Sequence, residues 1–335
     1  MVSRWTRTAT VSSGVGIALV VALAVVPYVS GTAEAPLFSL FTFVAMASLW
    51  NLMAGFAGLA SFGQQTYLGA GAYLLFLLAE RGVDPFLGIP LAALGAMLLA
   101  LPVSVLVLRL HEGYFAIGTW VVAEVFHLLA TVSPRVGGNT GTSLPGAGAY
   151  PLVVRQALVY WLALALMVAC VGGVYLLLRS RFGLDARAVH ADPVAAAAAG
   201  VTVGRVRRVA YVLAALGFGA LGALIFAHDL YVQPSSAFGI QYSVSMMFMV
   251  VIGGLGTIEA PVIGALIFFA LQQALAGYGA WYLVLLGAVA MLVTLFAPRG
   301  LWGTVAARRG VALLPVGYRL ASRPTSPIDK VRSGR

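Results

Sequence analysis

An all-α, polytopic membrane helix bundle of eight to ten transmembrane segments, broken or half helices among them, is the fold class this chain predicts. Three observations carry it. Of 335 residues, 61% are hydrophobic and 9% charged, with a mean hydropathy of +0.99, whereas a soluble domain carries roughly 25% charge. The apolar residues gather into runs that match a bilayer crossing, about 20 helical residues each. The basic residues, finally, fall on alternate sides of those runs.

The runs lie at 11–29, 37–56, 66–79, 86–108, 114–132, 156–178, 209–227, 242–253, 259–275 and 281–297. The first follows Arg4 and Arg7 and precedes Thr32, Ala33, Glu34 and Ala35, a superficial likeness to a signal peptide. Its apolar stretch is long for a signal core, and the orientation works with it retained as the first span. The third and fourth runs join through Arg81, Gly82, Asp84 and Pro85. The longest loop, 133–155, carries Gly137, Gly138, Asn139, Thr140 and Gly141. The two runs flanking Gly254 are each short, as two half-helices or one broken helix. The chain thus divides into a transmembrane domain over 1–298, with a polar loop at 179–208, and a basic tail over 299–335 predicted to be mostly disordered.

Charge sets the orientation. Arg4, Arg7, Arg109, the loop arginines at 179, 181, 187, 205, 207 and 208, and the eight basic residues from Arg299 onward make 17 on one side; Arg81, Arg135 and Arg155 make 3 on the other. Basic residues favour the cytoplasmic side, which places both termini and the polar loop there. The net charge of +10 therefore reports topology and proximity to anionic lipid, not nucleic acid.

Several motifs can be set aside. Gly217, Gly219 and Gly222 spell GxGxxG, but no strand precedes them, so they form a small-residue packing face and not a dinucleotide site. Lys330 is the only lysine and has no Walker motif before it, so the chain carries no P-loop. His111, His127, His190 and His228 are scattered without metal-ligand spacing. Cys170 is alone in an apolar run and implies no disulfide.

Two glycine-dense breaks remain. One carries Gly55, Gly58, Ser61, Gly63, Gln64 and Gln65; the other carries Gly253, Gly254, Gly256, Thr257, Glu259 and Pro261. Interrupted hydrophobic segments in both halves of a membrane protein point to a solute path, and small residues also permit plain close packing. Asn51, Gln64 and Gln65 suit a polar solute, and equally suit backbone groups that the glycines free. Glu124 lies mid-run, three residues from His127, where an intramembrane carboxylate is costly and by default functional. It either fixes packing through a hydrogen bond between helices, or contacts solute or gates its passage.

In the polar loop, Asp192 can cap a helix that Pro193 begins and Gly200 ends. That helix spans about 10 Å and is too short to be stable alone. Its alanine surface suits a narrow cleft on a partner, and the other reading is a short helix lying against the chain's own membrane domain.

Taken in order, these markers resemble the permease subunits of branched-chain amino acid ABC importers, of the LivM type. They are Asn51 through Gly63 with Gly69, Gly71 and Tyr73; Tyr114 to Thr119 with Glu124; Gly137, Gly138 and Gly141; Ala195, Ala196, Gly200 and Val201; Gly222 and Ala223; Val250 to Thr257 with Pro261 and Gly264; and Pro298 to Leu301. The resemblance implies a bacterial inner-membrane subunit that is not itself an enzyme. Its partners would be a second homologous permease, two cytoplasmic ATPases that bind ATP and magnesium, and an extracytoplasmic solute-binding protein. This chain would hold no cofactor. Asp192, Pro193, Val194, Ala195, Ala196, Ala197 and Gly200 would couple it to an ATPase. Asn51, Ser61, Gln64, Gln65, Glu124, Gly254 and Thr257 would belong to the path. Departures from the family pattern at Gln64, Val194 and Ala260 bear on the solute more than the mechanism, and urea and amide importers share the wider family. An ion-driven secondary transporter using Glu124 and Asp229, or a passive channel for a small neutral solute, are the other readings.

Overall fold

Small residues set the helix packing in this chain. The structure, a computed structural model, describes residues 34–146, 148, 150–275, 277, 281–297 and 300–309, with 2–3, 14, 16, 18, 20–27 and 319–320. Of the first predicted run, residues 20–27 are helical and lie against the fifth helix below, where the Tyr160 hydroxyl donates to the Leu23 carbonyl at 2.6 Å. Arg4, Arg7, Pro298, Arg299 and the tail beyond 320 lie outside the described residues.

The principal helices are α1 (Glu34–Asn51), α2 (Gln65–Glu80), α3 (Pro85–Val107), α4 (Glu112–Val132) and α5 (Leu152–Arg179). In the polar loop lie α6 (Arg181–Ala191) and α7 (Pro193–Ala198). Then come α8 (Val203–Asp229), α9 (Pro234–Ala237), α10 (Ile240–Gly253), α11 (Glu259–Leu275), α12 (Trp281–Phe296) and α13 (Gly300–Arg309). Two-residue strands add β1 (Val2–Ser3) paired with β4 (Arg319–Leu320), and β2 (Thr142–Ser143) paired with β3 (Tyr231–Val232), both antiparallel.

Among the described residues, seven helical stretches are long and apolar enough to cross a membrane: Glu34–Phe56, Pro85–Val107, Gly113–Val132, Leu152–Arg179, Val203–Asp229, Pro234–Gly253 and Val284–Ala306. The helices α11, at 17 residues, and α2, at 16, are shorter. The chain is an all-α polytopic membrane protein. At the centre, α1 and α8 are 72% and 67% buried over their apolar windows, against 22% for α4 at the edge. Glycines let neighbouring helices approach α8 closely. A Cβ added at Gly222 of α8 would stand 1.8 Å from the Leu68 carbonyl oxygen of α2, and one at Gly219 would stand 2.4 Å from the Ala96 Cβ of α3. The GxGxxG spelling is thus a helix-packing surface, as its position in an apolar helix requires.

Three boundaries differ from expectation. The run before Gly254 is not a half-helix: it reaches back to Pro234, because Pro234, Ser235 and Ser236 form a turn of helix that hydropathy does not register. The polar loop holds two helices, not one, since α6 buries Gly183, Ala186 and Val189 at helical spacing. Helical order also extends past residue 298 into Gly300–Arg309, where Gly300 touches the backbone of Gly254.

Candidate functional site

The first break begins where α1 widens. Leu52–Phe56 form a π-helical turn, and the amides of Ala57 and Leu59 both close onto the Met53 carbonyl, at 3.2 and 2.9 Å. From there to Gln64 the backbone leaves helical geometry and relies on side chains for its partners. The Trp50 indole donates to the Ser61 carbonyl at 3.0 Å, and the Ser61 hydroxyl accepts from the Gly63 amide and from Gln64 Nε2, at 3.2 and 2.8 Å. The Phe62 amide donates to Thr119 Oγ1 on α4 at 3.3 Å. Ser61 and Gln64 are fully buried, so each bond matters by the cost of leaving it unmade.

The second break joins the first through Asn51. Its Nδ2 donates to the Thr257 carbonyl at 2.8 Å, and its Oδ1 accepts from the Gly256 amide at 3.1 Å. One carboxamide thereby pairs a donor and an acceptor of a backbone 205 residues away, in the orientation those two partners require. The fit excludes any side chain at Gly55, where a Cβ would stand 2.2 Å from Asn51 Oδ1 and 2.7 Å from the Gly256 nitrogen. Gly256 itself adopts φ +80°, a left-handed conformation that favours glycine. Thr257 then starts α11 by accepting the Ala260 amide at 3.3 Å.

Along α2, Gln65 Oε1 accepts from the Ser243 hydroxyl of α10. Three further polar atoms on this part of the chain, Gln64 Oε1, Thr66 Oγ1 and the Tyr73 hydroxyl, are buried with no protein partner. Native interiors contain few such groups, and each demands water or another polar molecule. Thr66 and Tyr73 stand seven residues apart, on one face of the helix. The sequence did not assign Thr66, Tyr73, Thr119 or Ser243 to the path, although Tyr73 and Thr119 are among the family markers; the seven-residue spacing on a glycine-rich helix was the available signal for the first two.

The polar loop seats against the first break. Asp192 Oδ1 accepts the Val194 and Ala195 amides at 2.8 and 3.0 Å, Pro193 occupies the first helical position, and Gly200 takes φ +89° beyond the last turn. A small core of Ala186, Val189, Ala196 and Val206 pins α7 to α6 and to the start of α8. Val194, Ala195 and Ala197 face outward, Val194 with 80% of its surface exposed. Next to them, His190 of α6 comes within 4 Å of the Cβ direction of Gly58.

The predicted path residues therefore do not form one cluster. Asn51, Thr257 and the Gly254 region meet, and Ser61 and Gln64 meet beside them. Gln65 pairs with Ser243 instead. Glu124 stands apart, half-exposed on α4, and its Oε1 lies 3.0 Å from His127 Nδ1. At the other end of the bundle, Asp229 pairs with His228 at 2.7 Å, and the Leu144 amide donates to the Leu230 carbonyl at 2.9 Å beside the β2–β3 pair.

Comparison with known proteins is consistent across this region. Residues 33–295 match the profile of a family described as branched-chain amino acid transport system / permease component. Two curated relatives are high-affinity branched-chain amino acid transport system permease proteins LivM, from Escherichia coli and Salmonella typhimurium. Each is 25% identical over 278 residues, covering 75% of this chain and 65% of the relative. The chain thus spans about 65% of the length of these relatives. No solved structure gives a significant match.

Proposed function

Because the chain belongs to the branched-chain amino acid transport system permease component family, we propose that it is the membrane subunit of an ATP-driven importer for branched-chain or related amino acids. It contributes the conduit. Hydrolysis of ATP, with magnesium, belongs to two separate cytoplasmic ATPases, and a second permease and an extracytoplasmic binding protein complete the assembly. Both termini lie in the cytoplasm of a bacterial inner membrane. The antiparallel pairing of Val2–Ser3 with Arg319–Leu320 supports an orientation with the two ends on one side.

One observation carries the mechanism: the Asn51 carboxamide ties the two breaks together, at the end of the bundle against which α6 and α7 rest. The exposed face of α7 docks in an ATPase groove. ATPase closure displaces α6 and α7 as a unit, since their shared core makes them one body. Because α6 bears on Gly58, the displacement reaches the segment 57–64 and the clasp at Gly256 and Thr257. Breaking that clasp opens the cytoplasmic mouth, and remaking it closes the mouth. Deeper in the bundle, Gln64 Oε1, Thr66 Oγ1 and the Tyr73 hydroxyl are free to bond the polar ends of a passing amino acid. Neutral groups suit this role, because they desolvate cheaply and do not hold a zwitterion as a counter-charge would.

Ala197→Arg tests the coupling. Ala197 is exposed, so the variant inserts and folds, and reconstituted with its partners it loses both uptake and the ATPase activity stimulated by loaded binding protein. Wild-type uptake in this variant removes α7 from the mechanism. Uptake by the native complex that collapses with an uncoupler at constant ATP shows an ion-driven transporter instead.

A further inference from the structure

An apolar groove lies on the outside of the bundle, between α5 and α8. It has a volume of about 400 Å³ and is lined by Leu166, Cys170, Gly173 and Leu177 of α5 and by Leu213 and Gly217 of α8, and backed by α1. Every lining residue is apolar or glycine. The α5 residues follow one another at intervals of four, three and four, so the groove runs along the helix and not across it. From Leu166 to Leu177 it extends about 16 Å at 1.5 Å per residue. That is half of the roughly 30 Å hydrocarbon thickness, the depth of a single leaflet.

The leaflet is the one on the arginine-rich side. The groove occupies the second half of α5, which ends at Arg179, and Arg181 opens α6 immediately beyond. On the opposite wall, Arg205 precedes Leu213 by eight residues, two steps of the i, i+4 row that carries Leu213 and Gly217. Arg181 and Arg205 are both exposed. Beyond the cytoplasmic end of an apolar groove one leaflet deep, each wall thus leads to a guanidinium, Arg181 four residues past Leu177 and Arg205 eight residues before Leu213. A guanidinium pairs a phosphate through two parallel N–H bonds and remains charged at any physiological pH.

We propose that this groove is a binding site for an anionic phospholipid, with one acyl chain along α5 and its headgroup phosphate on Arg181 and Arg205. The site rests on the groove and its two arginines and not on which solute the proposed importer carries. A lipid held there touches Leu49 and Leu52, the turn of α1 that carries Asn51, so its occupancy would bear on the clasp.

The test is lipid content. The importer complex is extracted in mild detergent, and its retained phospholipids are quantified by mass spectrometry against the host membrane. The ratio of anionic to zwitterionic lipid is expected to be several-fold above bulk for the native chain. In the double variant Arg181→Gln, Arg205→Gln it falls back toward bulk. Gly173→Leu fills the groove, where an added Cβ meets nothing within 4 Å, and lowers the total lipid retained. A native complex carrying anionic lipid at the bulk ratio overturns the proposal, as does enrichment that survives the double variant. Should Gly173→Leu fail to fold, a photo-crosslinker at Leu213 decides. An adduct with phospholipid supports the site, and an adduct with another membrane subunit removes it.

Discussion

Asn51 illustrates how much one buried amide can hold in a membrane protein. Replacing it by alanine strands the Gly256 N–H and the Thr257 carbonyl, and an unsatisfied buried group costs about 1–3 kcal/mol. Asn51→Ala is therefore expected to lower the thermal midpoint in detergent by the equivalent of about 2 kcal/mol and to abolish uptake; a variant that keeps both would disprove the clasp. Asn51→Asp should fare no better, because it turns an acceptor toward the Thr257 carbonyl. On the opposite side of the chain, Asp84 uses both carboxylate oxygens. The Tyr150 hydroxyl donates to Oδ2 at 2.6 Å, and the Phe86 and Leu87 amides donate to Oδ1. The Tyr150 bond chiefly, aided by the backbone amides and opposed by burial, holds this carboxyl below its ordinary value of 3.8. A depressed folded-state value contributes stability above the ordinary value, and the contribution disappears as pH falls through the lowered one. The difference in thermal midpoint between the native chain and Asp84→Ala, worth about 1 kcal/mol near neutrality for a cap of this kind, should shrink on acidification below 3.8. A constant difference across that range would rule out the carboxylate as its source.

At the scale of elements, α7 depends on its ends. Six residues cannot hold a helix in water, so the Asp192 cap and the buried Ala196 supply what propensity cannot. Asp192→Ala should cost about 1 kcal/mol locally, visible as faster amide exchange in α7 with little change in the global midpoint, and Asp192→Asn should restore protection. Unchanged exchange in Asp192→Ala would mean that the packing of Ala196 alone suffices. The cap was legible in the sequence because Asp-Pro before an alanine run is a local signal. The preceding helix was not. Its apolar positions, Phe182, Ala186 and Val189, are too few among charged residues to stand out until the start of α8 covers them. The π-helical turn at Leu52–Phe56 was likewise hidden, since no residue pattern distinguishes it from ordinary helix before the break that it feeds.

For the whole molecule, the exposed face of α4 is where the bundle leaves most apolar surface uncovered around a charged residue. Trp120, Val121, Val125, Leu128 and Val132 lie exposed around Glu124, and a carboxylate facing lipid is costly. On the function proposed above, a partner subunit would cover that face. Glu124→Gln should leave the midpoint of the isolated chain within about 0.5 kcal/mol, as surface changes do, while reducing assembly or uptake of the complex. Full activity in the complex would return Glu124 to a simple bond with His127. The candidate path residues were legible as two breaks of the right composition, but not as one site, because nothing in a linear sequence says that positions 51 and 257 touch.

Composition, the length of the apolar runs and the placement of arginines were enough to determine an all-α membrane bundle, because solvation in lipid leaves the backbone few alternatives. Local capping was enough to locate α7 in the sequence, while the packing of Ala196 holds it. Only the tertiary structure decided that the two breaks are a single junction, that α6 leans on it, and that Glu124 lies outside it. Those facts depend on contacts between residues as many as 206 positions apart, and such contacts follow from how glycine faces let whole helices approach.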